Sequence, residues 1–177
     1  MGHLEISEPK ALPISARRIE KTLAQGYVEQ EPLNLIALEG ALYILQTLPG
    51  VSADAALKAS SAPNSTDVVA TVKPGPAING SAYVDNWGST QTGAIRGSVN
   101  LNWNNPTASG DQVATNLMAT EGLRYGRLAF SLPVGYSGDR VGASYSQMYY
   151  TLLGTSGGLP GSGNAQVFGL DWSRPLF

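Results

Sequence analysis

The ten residues Ile95-Arg96-Gly97-Ser98-Val99-Asn100-Leu101-Asn102-Trp103-Asn104 decide how this chain is read. Ile95, Gly97, Val99, Leu101 and Trp103 alternate with Arg96, Ser98, Asn100, Asn102 and Asn104. Successive side chains leave a strand on opposite sides, so a period of two predicts a strand with one apolar and one polar face. The apolar face ends in Trp; the polar face is made of Asn and Ser. The same alternation recurs along the chain. Leu128, Phe130, Leu132 and Val134 oppose Arg127, Ala129 and Ser131, while Val141, Ala143, Tyr145 and Tyr149 oppose Arg140, Gly142, Ser144 and Ser146. Phe168, Leu170 and Trp172 oppose Gly169, Asp171 and Ser173. Weaker strands cover Gly80–Asp85 and Gln112–Thr120. About six antiparallel strands are predicted, joined at Gly88, Pro106–Gly110, Glu121-Gly122, Gly135–Gly138 and Gly154–Gly163.

The surroundings of this region differ from the rest of the chain. Of 177 residues, positions 1–74 carry 14 charges and four glycines, whereas 75–177 carry 10 charges, none of them Lys, and 17 glycines. All three Trp fall in the second part. The boundary lies near Lys73-Pro74-Gly75-Pro76, which divides the chain into 1–75 and 76–177. A water-facing sheet normally displays Lys and Glu, and this one displays Ser, Asn, Gly and isolated Arg.

The first part reads as strand, helix, helix, strand, strand. Leu4-Glu5-Ile6 alternates before Pro9 and Pro13. Ser15 is placed to cap a short helix that buries Ile19 and Leu23 and ends at Gly26, read as its C′ residue. Leu35, Leu38, Leu42 and Leu45, with Ala41 and Leu48, form one stripe of a second helix spanning Leu33–Leu48 and stopped by Pro49-Gly50. Val51, Ala53, Ala55 and Leu57 give a weak strand, Ala62–Ser65 a turn, and Asp67–Lys73 a good strand. A core this small is marginal alone, so docking against a neighbour is expected.

Composition removes whole function classes. With no Cys and one His, neither a thiol nucleophile, a Cys-zinc site nor an internal Ser-His-Asp triad can be assembled. A net charge of −2 argues against nucleic-acid binding. No signal peptide is visible at the start, and Ile6 stands where myristoylation wants Ser or Thr. Two architectures fit the alternating strands: a soluble β-sandwich with a wet polar face, and a transmembrane barrel with a lipid face free of charge and a polar lumen. Six strands are too few to close such a barrel, so on the second reading the chain is incomplete.

At Leu48-Pro49-Gly50-Val51, Ser65-Thr66-Asp67-Val68-Val69, Val84-Asp85-Asn86-Trp87-Gly88-Ser89 and Thr92-Gly93, the chain resembles the haemolysin-activator family of outer-membrane transporters, the transporter partners of two-partner secretion. Asn104-Asn105-Pro106 with Gly110-Asp111, Leu123-Arg124-Tyr125-Gly126 with Ser131-Leu132-Pro133-Val134-Gly135, and Arg174-Pro175-Leu176 continue the same pattern in the same order. The resemblance covers essentially the whole chain. It implies that 1–75 is the family's second periplasmic POTRA domain, an α+β unit (β-α-α-β-β), followed over 76–177 by the first antiparallel transmembrane strands of a sixteen-stranded β-barrel. It also implies export of one large β-rich exoprotein of haemolysin or adhesin type, caught unfolded in the periplasm. Its docking place would be the strand Ser52–Ser60 and the groove beside the helix Leu33–Leu48. The implied location is the Gram-negative outer membrane, with 1–75 in the periplasm; the implied partners are the exoprotein and outer-membrane lipid, with no nucleic acid and no small-molecule substrate. The family's N-terminal plug helix, first POTRA domain, remaining strands and lumen-inserted Val-Arg-Gly-Tyr/Phe loop are not found here.

No catalytic, cofactor-binding or metal-ligating residue is assigned, and the chain is read as no enzyme. Gly157–Gly163 lacks the Lys of a phosphate loop and reads as a surface loop. Asn64-Ser65-Thr66 and Asn79-Gly80-Ser81 match a glycosylation triplet by chance. His3 reads as a solvated terminal residue. Asp85, Asp111, Asp139 and Asp171 could suggest calcium, but their spacing puts them in different strands and turns. Arg96, Arg127 and Arg140 fall on polar faces, where they would line a pore or pair with carboxylates. A soluble adhesin-like sandwich is the alternative to the transporter; a carboxylate-pair hydrolase would have only Glu121 and scattered Asp to draw on.

If the strands form a barrel, Ile95, Val99, Leu101, Trp103, Leu128, Phe130, Leu132, Phe168, Leu170 and Trp172 must share one exposed, convex face, with Arg96, Asn100, Arg127 and Ser144 on the other. The turns at Pro106–Gly110 and Gly135–Gly138 should then lie on the side of residues 1–74, and Gly88–Gly93 and Gly154–Gly163 at the opposite end.

Overall fold

The computed structural model describes residues 4–7, 12–26, 34–59, 66–154 and 161–176. In chain order its elements are β1 (Leu4–Ser7), α1 (Ala16–Leu23), α2 (Leu35–Gln46), β2 (Val51–Ala59), β3 (Thr66–Pro74), β4 (Ile78–Asp85), β5 (Arg96–Asn104), β6 (Gln112–Ala119), β7 (Leu123–Pro133), β8 (Arg140–Thr151) and β9 (Ser162–Ser173). The turn expected at Ala62–Ser65, His3, Leu33, Ser60 and positions 157–160 lie outside the described residues.

β1, β3 and β2 form a three-stranded sheet in that order, β1 parallel and β2 antiparallel to the central β3. β3 carries the burial: Val68, Ala70 and Val72 are enclosed. Ile19 and Leu23, one turn apart on α1, meet Leu45 of α2 and Leu48, Ala53 and Val72 in a common apolar core. Two details of the helices differ from the sequence reading. Ser15 sits at the N-cap position of α1 but its side chain makes no cap bond; its backbone N–H instead donates to the Ala108 carbonyl at 3.1 Å. Gly26 is no left-handed C′ residue. It sits directly against α2, where a Cβ would stand 2.1 Å from the Ala37 carbonyl oxygen.

The helix expected over Leu33–Leu48 is described as Leu35–Gln46, capped by Asn34, whose Oδ1 accepts from the Ala37 N–H at 3.2 Å. Leu38, Ala41 and Leu45 are buried as the stripe requires, and Leu42 is half-buried. Leu35, at the start of that stripe, is exposed; Ile44, off it, is buried because it faces the turn at Gly138. On β2 the alternation is only partly used: Ala53 is buried, but Ala55 and Leu57 are exposed.

After Pro74 the chain leaves this sheet and builds a six-stranded antiparallel meander, β4-β5-β6-β7-β8-β9. Each strand pairs with its sequence neighbour, so the ladder is made of hairpins. Two strands begin earlier than their apolar alternation announces. β7 starts at Leu123, and β9 at Ser162, where Gly163-Asn164-Ala165-Gln166 pairs with Tyr150 to Gln147. Backbone pairing tolerates a polar stretch that carries no apolar period. Gly163 also accommodates the Tyr150 ring, whose hydroxyl oxygen would lie 2.7 Å from an added Cβ.

Candidate functional site

The register of the meander sorts its side chains into two surfaces. Directly paired residues share a face, so Ile78, Trp103, Val113, Phe130, Ala143 and Leu170 form one row. Leu101, Thr115, Leu128, Tyr145 and Phe168 form the adjacent row, with the Tyr145 and Phe168 rings 4.8 Å apart. Leu132, Val141 and Trp172 extend it. Of the ten apolar residues expected on this face, nine are exposed, Phe168 by 80% and Leu170 by 90%; Val99 is half-buried. No described element covers the patch, which a water-soluble sandwich would have to bury.

The opposite surface is a hydrogen-bonded polar lattice. Asn102 Nδ2 donates to Asn79 Oδ1 at 2.9 Å, Asn116 Nδ2 to Asn100 Oδ1 at 2.8 Å, and Gln112 Nε2 to Asn104 Oδ1 at 2.8 Å. These are cross-strand pairs on β4–β6, so the Asn-rich face spends its donors and acceptors on neighbouring strands. Arg96 pairs with Asp85 at 2.9 Å. Arg140 donates to the Gly110 carbonyl and to Ser131 Oγ. The guanidinium of Arg127 has no partner among the described residues and stands exposed on this surface, between Asn116 and Ser146. Arg96, Asn100, Arg127 and Ser144 thus share one face.

The four aspartates are not brought together. Asp85 holds Arg96 and accepts from the Trp87 N–H; Asp139 pairs with Arg174 at 3.3 Å; Asp171 lies beside Gly142 on β8. Asp111 is buried within the β5–β6 turn, where Oδ1 accepts from Thr107 Oγ1 at 2.8 Å and from the Thr107 N–H. That carboxylate organises a turn in which Asn105 and Ala108 both take positive φ. Among the described residues no group of His, Cys, Asp or Glu could hold a metal ion, and no helix is long and apolar enough to cross a membrane.

One end of the meander is joined to the three-stranded sheet and its helices. Asn105 Nδ2 donates to the Pro49 carbonyl, Gly75 N–H to Gly50 O at 2.8 Å, and Asn104 Nδ2 to Pro76 O at 2.9 Å. Gly110 packs against Leu48, and its φ of 83° suits glycine. On α1, Arg18 Nη1 donates to Gly135 O at 2.9 Å, and both Arg18 and Lys21 sit over the Tyr136 ring, 5.4 and 5.0 Å from its centre. The turns Pro106–Gly110 and Gly135–Gly138 are therefore at this end. At the other end Gly122 N–H donates to Thr92 O and Leu153 N–H to Gln91 O, tying together the connections after β4, β6 and β8. The anchoring residues Arg18, Lys21, Asn105 and Tyr136 were not legible in the sequence, because each is defined by a partner at least 56 positions away.

The second candidate surface is the free edge of the small sheet. β2 lies at its margin, beyond the central β3, and α2 runs beside it, with Gln46 Nε2 donating to Ala53 O at 2.8 Å. Leu57 is exposed on this strand, and Ile36 is exposed on α2. The strand expected over Ser52–Ser60 is described as Val51–Ala59, and the helix expected over Leu33–Leu48 as Leu35–Gln46.

A family model for the haemolysin secretion/activation protein ShlB/FhaC/HecB matches residues 64–177. Among solved structures, the chain is similar to CdiB from Escherichia coli, with a TM-score of 0.74 and 24% identity over 99% of this chain and 34% of that one. It is also similar to CdiB from Acinetobacter baumannii, with a TM-score of 0.68 and 24% identity over 98% of this chain and 33% of the other. BamA from Haemophilus ducreyi, solved without POTRA domains 1–3, aligns with a TM-score of 0.53 and 11% identity over 85% of this chain and 28% of that one. At these identities the structural likeness carries the fold alone. The chain spans about a third of the length of the structures it matches. No curated protein matches it.

Proposed function

The chain belongs to the haemolysin secretion/activation family ShlB/FhaC/HecB, and on that premise we propose that it supplies part of the wall and the periplasmic entrance of a two-partner secretion pore. Proteins of this kind are β-barrels of the Gram-negative outer membrane with periplasmic POTRA domains. In the proposed reading residues 1–75 are a POTRA domain and 76–177 the first six strands of the barrel. The cargo is one large β-rich exoprotein, passed through the lumen as an unfolded chain without any catalytic step.

The observation that carries this reading is the division of the meander into an uncovered apolar face and a polar lattice, with a small open-edged sheet fixed to one end. Lipid takes the apolar face, because a bilayer satisfies exposed Leu, Phe and Trp and rejects charge. The Asn-rich face suits an unfolded polypeptide, since its internally paired amides offer weak, exchangeable hydrogen bonds and no apolar surface to hold a passing segment. The edge of β2 receives an extended piece of cargo by strand addition, with α2 flanking it.

The test places a photo-crosslinking amino acid at Leu57, on the exposed β2 strand, or at Gln25, beyond the end of α1, in the full-length protein co-expressed with its exoprotein. Crosslinks to the exoprotein from Leu57, and none from Gln25, support the assignment. Equal yields from both positions, or none from Leu57 during active secretion, refute it.

A further inference from the structure

The apolar face of the meander carries one charged residue among those described. Asp85, Arg96, Arg127, Arg140 and Asp171 all point to the polar lattice; Arg124 alone does not. It pairs with Ala119 on β6 and Tyr149 on β8, so its Cβ leaves the sheet on the same side as Leu128 and Phe130. An Arg facing hydrocarbon is costly, but this one stands near the start of β7, at the end away from the small sheet. It is exposed, and its guanidinium has no partner among the described residues.

The neighbours of Arg124 are polar too. Asn164 follows Tyr149 in the same row, and Gln147 and Gln166 pair in the row beneath. Gln147 Nε2 donates to the Tyr149 hydroxyl, which fixes that ring at the edge of the patch. A cleft of about 440 Å³ lies at this end of the sheet, lined by Arg124 and Tyr149 from the apolar side and by Leu123 and Tyr150 from the polar side. By contrast, the same end of the face on β4 and β5 is apolar, with Val84 and Ile95 exposed. The polarity is therefore local to β7–β9 and is not a feature of the whole rim.

From this placement we infer that Arg124, Tyr149 and Asn164 form a binding site for the phosphate of an outer-leaflet lipid. The inference rests on the orientation proposed above, in which the end opposite the small sheet faces outward. A guanidinium at headgroup depth meets phosphate oxygens with two parallel N–H donors, while the Tyr ring lies along the upper acyl chain. Glu121 also lines the cleft, and its carboxylate opposes an anionic headgroup, so the Arg124 guanidinium carries the attraction against it.

The full-length protein, purified in detergent from outer membranes, is incubated with diphosphorylated lipid A and the bound lipid counted by native mass spectrometry. Removing one charge-assisted contact by Arg124→Gln is expected to lower lipid A retention about tenfold, with Arg124→Lys within about threefold of the parent. Arg127→Gln, on the lumen face, keeps full retention. Heat-modifiable migration reports folding of each variant. Retention unchanged in folded Arg124→Gln overturns the inference. Release of lipid A by an equal concentration of inorganic phosphate also overturns it, since that marks a free-phosphate site. The orientation is checked separately: the chain has no Cys, so Ser89→Cys in the connection after β4 gives one reactive thiol for an impermeant maleimide on intact cells. Labelling with unchanged retention sinks the lipid site alone. No labelling sinks the proposed orientation, and the site with it.

Discussion

Arginine placed along the apolar face of β5 should carry a cost that depends on depth. Ile95 and Trp103 are eight residues apart, about 27 Å at the strand rise and about 21 Å along the membrane normal at a barrel tilt of ~40°. That nearly fills an apolar band of ~25 Å, so Val99 lies near its middle, Leu101 about 5 Å closer to the periplasm, and Trp103 at the interface. Val99→Arg should cost about 2–4 kcal/mol, Leu101→Arg somewhat less, and Trp103→Arg about 0–1 kcal/mol beyond the lost indole packing. Asn100→Arg is the internal control. Asn100 faces the lattice, accepting from Asn116 and donating to Ser81 at 3.3 Å, so its replacement should cost only about 1 kcal/mol for these half-open bonds. The assay is urea-dependent folding of the full-length protein into phosphatidylcholine vesicles, read as heat-resistant folded fraction. A cost that is flat along Val99, Leu101 and Trp103, or an Asn100→Arg cost equal to that of Val99→Arg, would refute the assignment of the face to lipid.

Three further outcomes follow from the packing. Gly26→Ala drives a methyl into the Ala37 carbonyl and should destabilise the small sheet and its helices by about 1–3 kcal/mol, read by hydrogen exchange of α1 and α2. Asp111→Ala leaves the Thr107 hydroxyl and N–H of the β5–β6 turn without their acceptor; a loss of about 1–3 kcal/mol is expected in the same folding assay, and Asp111→Asn should recover part of it. Tyr136→Leu removes the ring beneath Arg18 and Lys21, about 0.5–1 kcal/mol for each exposed cation–π contact. Faster limited proteolysis near α1 than in the parent is the expected result, with Tyr136→Phe unchanged.

Much of the architecture was written in local periodicity. The alternation from Ile95 to Asn104 specifies a two-faced strand wherever it folds, because side-chain direction in a strand depends only on parity. The spacing of Ile19 with Leu23, and of Leu38 with Ala41 and Leu45, likewise names the buried side of each helix. Even the absence of Lys after position 73 was informative, since it marks a polar face that is not a water-solvated surface of the usual kind. What periodicity could not give was everything defined by distant partners. Gly26 reads as a helix terminator, and only the approach of Ala37 shows that its missing side chain makes room for a second helix. Ser15 reads as a side-chain cap, yet its backbone is engaged by Ala108, 93 positions along the chain. Val84 and Leu128 fit strands by sequence, but Arg124 precedes the alternation; that it belongs to β7 and stands near its outer end on the apolar side follows from its pairing with Ala119 and Tyr149. Register is set by turns and long-range pairing, so one residue of slip would send Arg124 to the lumen and reverse every other assignment on its strand.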